Sequence, residues 1–378
     1  MRPPSELYPR DRIRRAQDAT AQAGLDALLL TPGADLRYLT GYDAVPLERL
    51  TCLVVPADGD PVLVVPLLER PAALASPVGS MDFEIAAWQE TDDPVALVVD
   101  RLRTYGGGAL PKRVGLANRM WAEQVLRFRD RLPDAELGLS STVLRALRMR
   151  KTPAEVDALR GAGAAIDRVH ERMGDFLRAG RSEAEIAKDI GQAILDEGHV
   201  RADFIIVASG PNSASPHHEV SERVVEVGDP VVVDIGGTTA DGYCSDSTRT
   251  YAVGNAPHDF LDYFAVLIDA QARAVEAVRP GTSCDAVDAT ARELITAAGY
   301  GQWFVHRTGH GIGLETHEDP YIVAGNNEPL EPGMAFSVEP GIYIAGRHGA
   351  RIEDIVVCTP DGVERLNTIA RDLVVVDG

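Results

Sequence analysis

This sequence is poor in the features that organise small exported proteins and nucleic-acid binders. Its four cysteines, Cys52, Cys244, Cys284 and Cys358, are scattered without a CxxC or other ligand spacing. That argues against a disulfide framework and for reduced thiols in a cytoplasmic protein. Positive charge is also short: 37 Lys and Arg face 57 Asp and Glu, a formal net charge of −20. Such a surface opposes phosphate backbones and anionic membranes, so neither nucleic acid nor lipid is expected as a partner. The N-terminus, Met1 to Glu6 followed by Arg10-Asp11-Arg12, has no apolar h-region, and no later apolar run approaches membrane-spanning length. Tandem repeats of short period and low-complexity segments are missing too, and the arginine-rich patches at 10–15 and 127–131 read as solvated helix faces.

What remains is a chain of 378 residues, 45% hydrophobic and 25% charged, long enough for two domains with a large core in each. Asp11 to Ala23 has helical periodicity stopped by Gly24, and Ala27 to Leu30 reads as a short buried strand. The runs 53–55 and 62–65 flank Ala57-Asp58-Gly59-Asp60, a hairpin turn by its chemistry, so the first sheet is at least partly antiparallel. Helices over 94–103 and 122–131 and a strand near Val114 complete this part. The intervening Gly106-Gly107-Gly108 lacks the Lys-Ser/Thr of a phosphate cradle and reads as a loop.

Thr152-Pro153-Ala154-Glu155 and Ser182-Glu183-Ala184-Glu185 are capping boxes, in which the hydroxyl and the carboxylate satisfy the free N–H groups of a helix start. The domain junction is placed near Arg148, giving domains 1–148 and 149–378. Beyond Gly198 the chain changes to strands broken by Gly and Pro, and the chemistry lies there.

Five candidate metal ligands stand in that stretch: Asp234, Asp246, His310, Glu339 and Glu353. Four carboxylates and one imidazole suit two divalent ions, since each charge set can be desolvated only in the other's company. Val231-Val232-Val233-Asp234-Ile235-Gly236-Gly237 reads as a buried strand with a hairpin return through Asp246, which would bring the two aspartates face to face. The Asp-Ile-Gly-Gly-Thr run also resembles the phosphate loop of actin-like ATPases, but no second phosphate loop or adenosine loop accompanies it. His306, His310 and His317 crowd one glycine-rich segment, where glycine lets the backbone approach an ion or substrate closely. Glu339 ends a strand before Pro340-Gly341, and Glu353 sits on an apolar strand continuing through Ile355-Val356-Val357.

In order and local context these residues resemble the prolidases, Xaa-Pro aminopeptidases and methionine aminopeptidases, dinuclear metallopeptidases of the pita-bread fold. The resemblance is specific from about Thr152 to the C-terminus. Before that it rests on a mixed α/β pattern like the N-terminal domain of prolidases and creatinases. It implies an α/β (α+β) protein with a creatinase-like domain followed by a pita-bread catalytic domain. It further implies Asp234 as a terminal ligand, Asp246 and Glu353 as bridging ligands, and His310 with Glu339 completing the second ion. Glu339 would also shuttle the proton. His217, His306 and His317 would line the substrate pocket, with His217 and His317 stabilising the tetrahedral intermediate. Only one of two adjacent side chains faces a given side of an extended segment, and His217 is preferred to His218 by its separation from Asp234.

The implied reaction is hydrolysis of Xaa-Pro bonds by a hydroxide shared between two ions, Mn²⁺ first, with Co²⁺, Zn²⁺ and Fe²⁺ as alternatives. The partner is a small peptide with proline second, and a homodimer is implied by analogy. Xaa-Pro dipeptidase is the primary expectation and Xaa-Pro aminopeptidase the runner-up. A non-catalytic pita-bread binding module and metal-free creatinase are opposed by the complete ligand set. Two departures stand out. Asp234 and Asp246 are twelve positions apart, one more than the usual family hairpin, for which a bulge in 237–242 is expected. No arginine lies between Glu318 and Val338 to hold a dipeptide carboxylate, so Arg351 is the substitute candidate, with Tyr321 and Arg347 behind it.

Overall fold

The computed structural model describes residues 4–377. The N-terminal reading rests partly on Met1–Pro3, which lie outside the described residues, as does Gly378. The chain divides into two compact units, one ending at Arg148 and the other beginning at Met149.

The first unit is built on a mixed six-stranded sheet of β1 (Ala27–Leu30), β2 (Cys52–Pro56), β3 (Val62–Pro66), β4 (Glu84–Trp88), β5 (Arg113–Leu116) and β6 (Glu136–Leu139), in the order β4-β3-β2-β1-β5-β6. β1, β2 and β3 are buried along their whole length, which is why they read as continuous apolar runs rather than alternating ones. β2 and β3 form the antiparallel hairpin over the Asp-Gly turn, where Gly59 takes φ 108°. Helices Asp11–Gln22, Pro94–Tyr105 and Ala122–Arg131 accompany the sheet. The second starts where the Asp93 side chain accepts from the backbone N–H of Val95 at 3.0 Å.

The second unit opens with helix Pro153–Glu171, whose Thr152–Glu155 capping box is formed, and continues with helix Glu183–Asp196 behind the formed Ser182–Glu185 box. β7 (His199–Ser209), β8 (Pro230–Thr239) and β9 (Cys244–Val253) form a sheet, with β17 (Val374–Val376) on the outer side of β9. A second sheet runs β11-β10-β12-β15-β16, from β10 (Gly309–Gly311), β11 (Glu318–Ile322), β12 (Ala335–Val338), β15 (Asp354–Thr359) and β16 (Gly362–Arg365). β13 (Gly341–Ile344) and β14 (His348–Arg351) make a separate hairpin.

Each sheet has its own apolar cluster. Ile186 and Ile190 of helix Glu183–Asp196 pack with Val231, Val233 and Ile235 of β8. Phe260, Leu267 and Val287, from helices His258–Glu276 and Cys284–Ala297, pack with Phe336, Val338 and Val356. Full burial of each such side chain contributes about 1.5–3 kcal/mol. Since strand side chains alternate, Val233 and Ile235 in the core turn Asp234 to the opposite face.

The β8–β9 ladder corrects two expectations. Asp234 pairs with Thr248 and Asp246 with Gly236, so the aspartates are diagonal neighbours on one face, not directly opposed. The ladder is also regular from Pro230↔Ala252 to Thr238↔Cys244. No bulge interrupts the ladder, and the turn beyond it is closed by Thr239 N–H to the Tyr243 carbonyl at 3.0 Å with Gly242 at φ 90°. Register shifts occur instead in β7, near Arg201 and Ala202. Gly236 and Gly237 lie inside the ladder, where they cannot form a phosphate loop. Gly236 is required by packing, because a Cβ there would meet the Phe204 ring at 2.5 Å.

Candidate metal centre

The face of β8 and β9 that carries Asp234 and Asp246 opens on a cavity of about 1140 Å³. Asp234, Asp246, His310, Glu339 and Glu353, 119 positions apart at their extremes, all line it, together with His217, His306, His317 and Arg351. Asp246, His310 and Glu353 form the tightest group, each offering a ligand atom within 4.8 Å of the others. His310 Nε2 is 3.2 Å from Glu339 Oε1 and 3.7 Å from Asp246 Oδ2. Its Nδ1 lies 3.1 Å from the Gly311 carbonyl. Bonded to that carbonyl through Nδ1, the ring presents Nε2 to the carboxylates, where it bonds Glu339 and would offer a lone pair to a metal ion.

The acidic groups are poorly satisfied by the protein alone. Burial raises the Asp246 carboxyl well above its ordinary range, and Glu353, Asp234 and Glu339 add to the effect. Glu353 is likewise pushed up, first by burial and then by Glu339 and Asp234. Burial also opposes ionisation of Glu339, but the His310 hydrogen bond and charge outweigh it and hold this carboxyl at about 2. Asp234 Oδ1 and Glu353 Oε1 are buried with no hydrogen-bond partner among the described residues. Two orphaned carboxylate oxygens beside an oriented imidazole fit divalent cations, which supply the missing positive charge.

The surrounding side chains fix this set. Thr248, on the same face as Asp246, donates to Glu353 Oε2 at 2.7 Å. Arg351 donates to Asp234 Oδ2 through Nη2, to the Tyr343 hydroxyl at 2.7 Å and the Pro216 carbonyl at 3.1 Å through Nη1, and to Thr248 Oγ1 at 3.2 Å through Nε. Arg351 is therefore bound to protein acceptors through all three nitrogens. Tyr343, accepting from Arg351, donates to His306 Nε2 at 2.9 Å. Nδ1 of His306 then donates to the Arg307 carbonyl at 2.7 Å. Burial lowers the pKa of His306. It also lowers that of His317 to about 4, with the adjacent charges of His310 and Arg307 acting the same way, so both rings are neutral at pH 7. Both His217 and His218 line the cavity, but His217 is exposed there whereas the His218 ring is tied to Glu183 Oε2 at 2.7 Å.

Several lining residues carry no signal in a motif. Phe204 and Ile206 stand opposite Gly236 and Asp234 in the β7–β8 ladder and supply a half-buried apolar wall. Alternation in β7 is the only sequence sign of them. Arg307, inside the histidine-rich segment, lines the cavity with its guanidinium 4.3 Å from the centre of the Tyr321 ring. Arg347 pairs instead with Asp259 and is not among the cavity's lining residues.

Comparison with known proteins places the chain in a family. Residues 157–360 match the model of metallopeptidase family M24, and residues 12–150 match the creatinase/prolidase N-terminal domain. The chain is 50% identical over 372 residues to the Mycobacterium bovis protein named "Probable dipeptidase PepE", covering 98% of this chain and 97% of that one. It is 36% identical over 349 residues to an Xaa-Pro dipeptidase of Lactobacillus helveticus, covering 90% and 92%. The crystal structure of dipeptidase PepE from Mycobacterium ulcerans superposes with a TM-score of 0.91 at 51% identity, covering 97% of each chain.

Proposed function

The chain belongs to metallopeptidase family M24, with a creatinase-type N-terminal domain and a pita-bread C-terminal domain, and on that premise we propose that it is an Xaa-Pro dipeptidase working with two divalent ions. The observation that carries this reading is the meeting of five ligand-type side chains, with two orphaned carboxylate oxygens, in one cavity large enough for a dipeptide. We assign the N-terminal domain to 1–148 and the catalytic domain to 149–378.

Asp234 would hold one ion, His310 and Glu339 the other, and Asp246 and Glu353 both. Two such ions, Mn²⁺ by analogy or else Co²⁺, Zn²⁺ or Fe²⁺, would supply a water acidified to near neutrality and a polarised scissile carbonyl. Glu339 Oε would take the proton from that water and deliver it to the proline nitrogen as the bond breaks. The imidazoles of His217 and His317 would donate to the oxygen on which charge develops. His306, fixed by Tyr343 and the Arg307 carbonyl, would shape the pocket without moving. An Xaa-Pro bond is a tertiary amide with no N–H to recognise, so gripping the ring by shape suits it.

Arg351 is the candidate that spacing offers to hold the substrate carboxylate, and its existing acceptors favour a second reading, Xaa-Pro aminopeptidase, in which a longer peptide leaves the pocket uncapped. Assay of Leu-Pro against a Leu-Pro-Xaa tripeptide, after chelation and after return of Mn²⁺, decides between them. Selective, metal-restored dipeptide cleavage is expected. Equal or faster tripeptide cleavage would assign the aminopeptidase, and activity surviving complete chelation would remove the metal-dependent reading. A homodimer and a cytoplasmic location complete the proposal. Among the described residues, no helix is long and apolar enough to cross a membrane.

A further inference from the structure

Glu183 is the first residue of helix Glu183–Asp196, and its side chain is fully buried. One carboxylate oxygen, Oε1, accepts from Ser209 N–H at 2.8 Å, Ser209 Oγ at 2.7 Å and Asn212 Nδ2 at 3.0 Å. The other, Oε2, accepts from His218 Nε2 at 2.7 Å, Ser221 N–H at 3.1 Å and Ser221 Oγ at 2.6 Å. The bland interpretation is a well-satisfied carboxylate at a helix N-terminus, where negative charge is favoured in any case.

The origin of the donors says more. Three come from the end of β7 and the turn after it, and three from the return of the chain at 218–221. Between these two anchor points runs the excursion that carries Pro216, His217, His218, Glu219 and Val220 onto the cavity. His217 is exposed, and no hydrogen bond to its ring is formed among the described residues, so the backbone on either side sets where the imidazole points. That backbone is held on one side by Arg351 Nη1 on the Pro216 carbonyl, and on the other by Glu183 on the ring of His218.

We propose that Glu183 is a positioning residue for His217: by gathering both ends of the 209–221 excursion onto one carboxylate, it holds the His217 ring over the reacting carbonyl. This rests on the proposed role of His217 in the peptidase reaction. Only an ionised carboxylate serves, since all six partners are donors. A glutamine of the same shape would set its own N–H₂ against the Ser221 N–H, or against the Ser209 N–H and Asn212 Nδ2, and leave donors unpaired.

The test is a double-mutant cycle in the metal-loaded enzyme, using Leu-Pro, with Glu183→Gln, His217→Ala and the double variant. Bound metal and thermal midpoint are measured for each. If Glu183 acts through His217, Glu183→Gln lowers kcat about tenfold or more at unchanged metal content, in the range of a misplaced transition-state donor. In the His217→Ala background the same change then costs almost nothing further. Losses that multiply would mean general damage and would overturn the proposal. So would an unaltered kcat for His217→Ala, an outcome that leaves the metal-dependent peptidase reading to its own chelation test. Should Glu183→Gln not fold, His218→Gln and His218→Leu decide the same question. The amide keeps a donor for Oε2 and should retain most of the activity that the leucine loses, and equal activities would refute the idea.

Discussion

In the N-terminal unit, Arg12 is the one Asp, Glu, Lys, Arg or His buried among the described residues, and it lies against the Tyr38 ring with Nη1 on the Tyr38 carbonyl at 3.0 Å. The C-terminal unit buries Glu183, Asp234, Asp246, Arg249, Asp288, His310, Arg351, Glu353 and Asp354, among others. The first unit is thus stabilised by apolar packing of β1, β2 and β3. The second holds together a charge assembly that packing alone would reject. The difference agrees with the site proposed in the second unit: buried charge is costly, and a fold retains it where ion pairs or chemistry need it.

The contrast can be broken most directly at Glu353. Glu353→Ala removes a proposed shared ligand, and should abolish Xaa-Pro hydrolysis and reduce bound metal below two ions per chain by elemental analysis. Full activity at full metal content would take Glu353 out of the site.

The next effect concerns the charge network behind the site. Asp354 is wholly buried and accepts from Arg249 at 2.7 Å, Arg365 Nη2 at 3.3 Å and Gln271 at 3.0 Å. Asp354→Ala would strand the Arg249 guanidinium, at a cost of about 3–5 kcal/mol in denaturant unfolding. A loss below about 1 kcal/mol, typical of exposed pairs, would erase the distinction between the units.

The smallest effect is on acid stability. Burial, helped by the charge of Arg249, holds the His170 ring at about 3 against an ordinary 6.5. Burial would raise the Glu183 carboxyl, but its hydrogen bonds, led by Ser221 and Ser209, bring it to about 2 against 4.5. In both cases the unfolded chain binds the proton more readily. The His170 contribution is therefore complete above about 6.5 and lost as pH falls towards 3, and that of Glu183 is complete above about 4.5 and lost towards 2. Hydrogen exchange should accordingly accelerate in β8 and β9 on acidification before it does in β1 and β2. Simultaneous acceleration in both units would contradict this.

Local signals are readable in the chain, and long-range ones are not. Both capping boxes form because Thr152 and Ser182 need a partner only three residues away. The five ligand-type residues and three pocket histidines lie on one cavity because strand alternation and glycine-rich turns fix their faces. The diagonal pairing of Asp234 with Asp246 is invisible to spacing, because register depends on how the 239–243 turn closes. Arg351 reads as open to substrate because nothing near it in sequence announces Asp234, 117 residues away, as its acceptor. Glu183 reads as helix-start filler for the same reason: its donors arrive 26 to 38 residues later.

The four scattered cysteines have a practical consequence. All are buried, and burial pushes the thiols of Cys52, Cys244 and Cys358 up to about 12, 11 and 11. Little thiolate is then available to an electrophile at neutral pH. A single cysteine introduced at an exposed position could carry a fluorophore or spin label without first stripping the native ones, and delayed alkylation of the native four would act as a clock for opening of the cores around them.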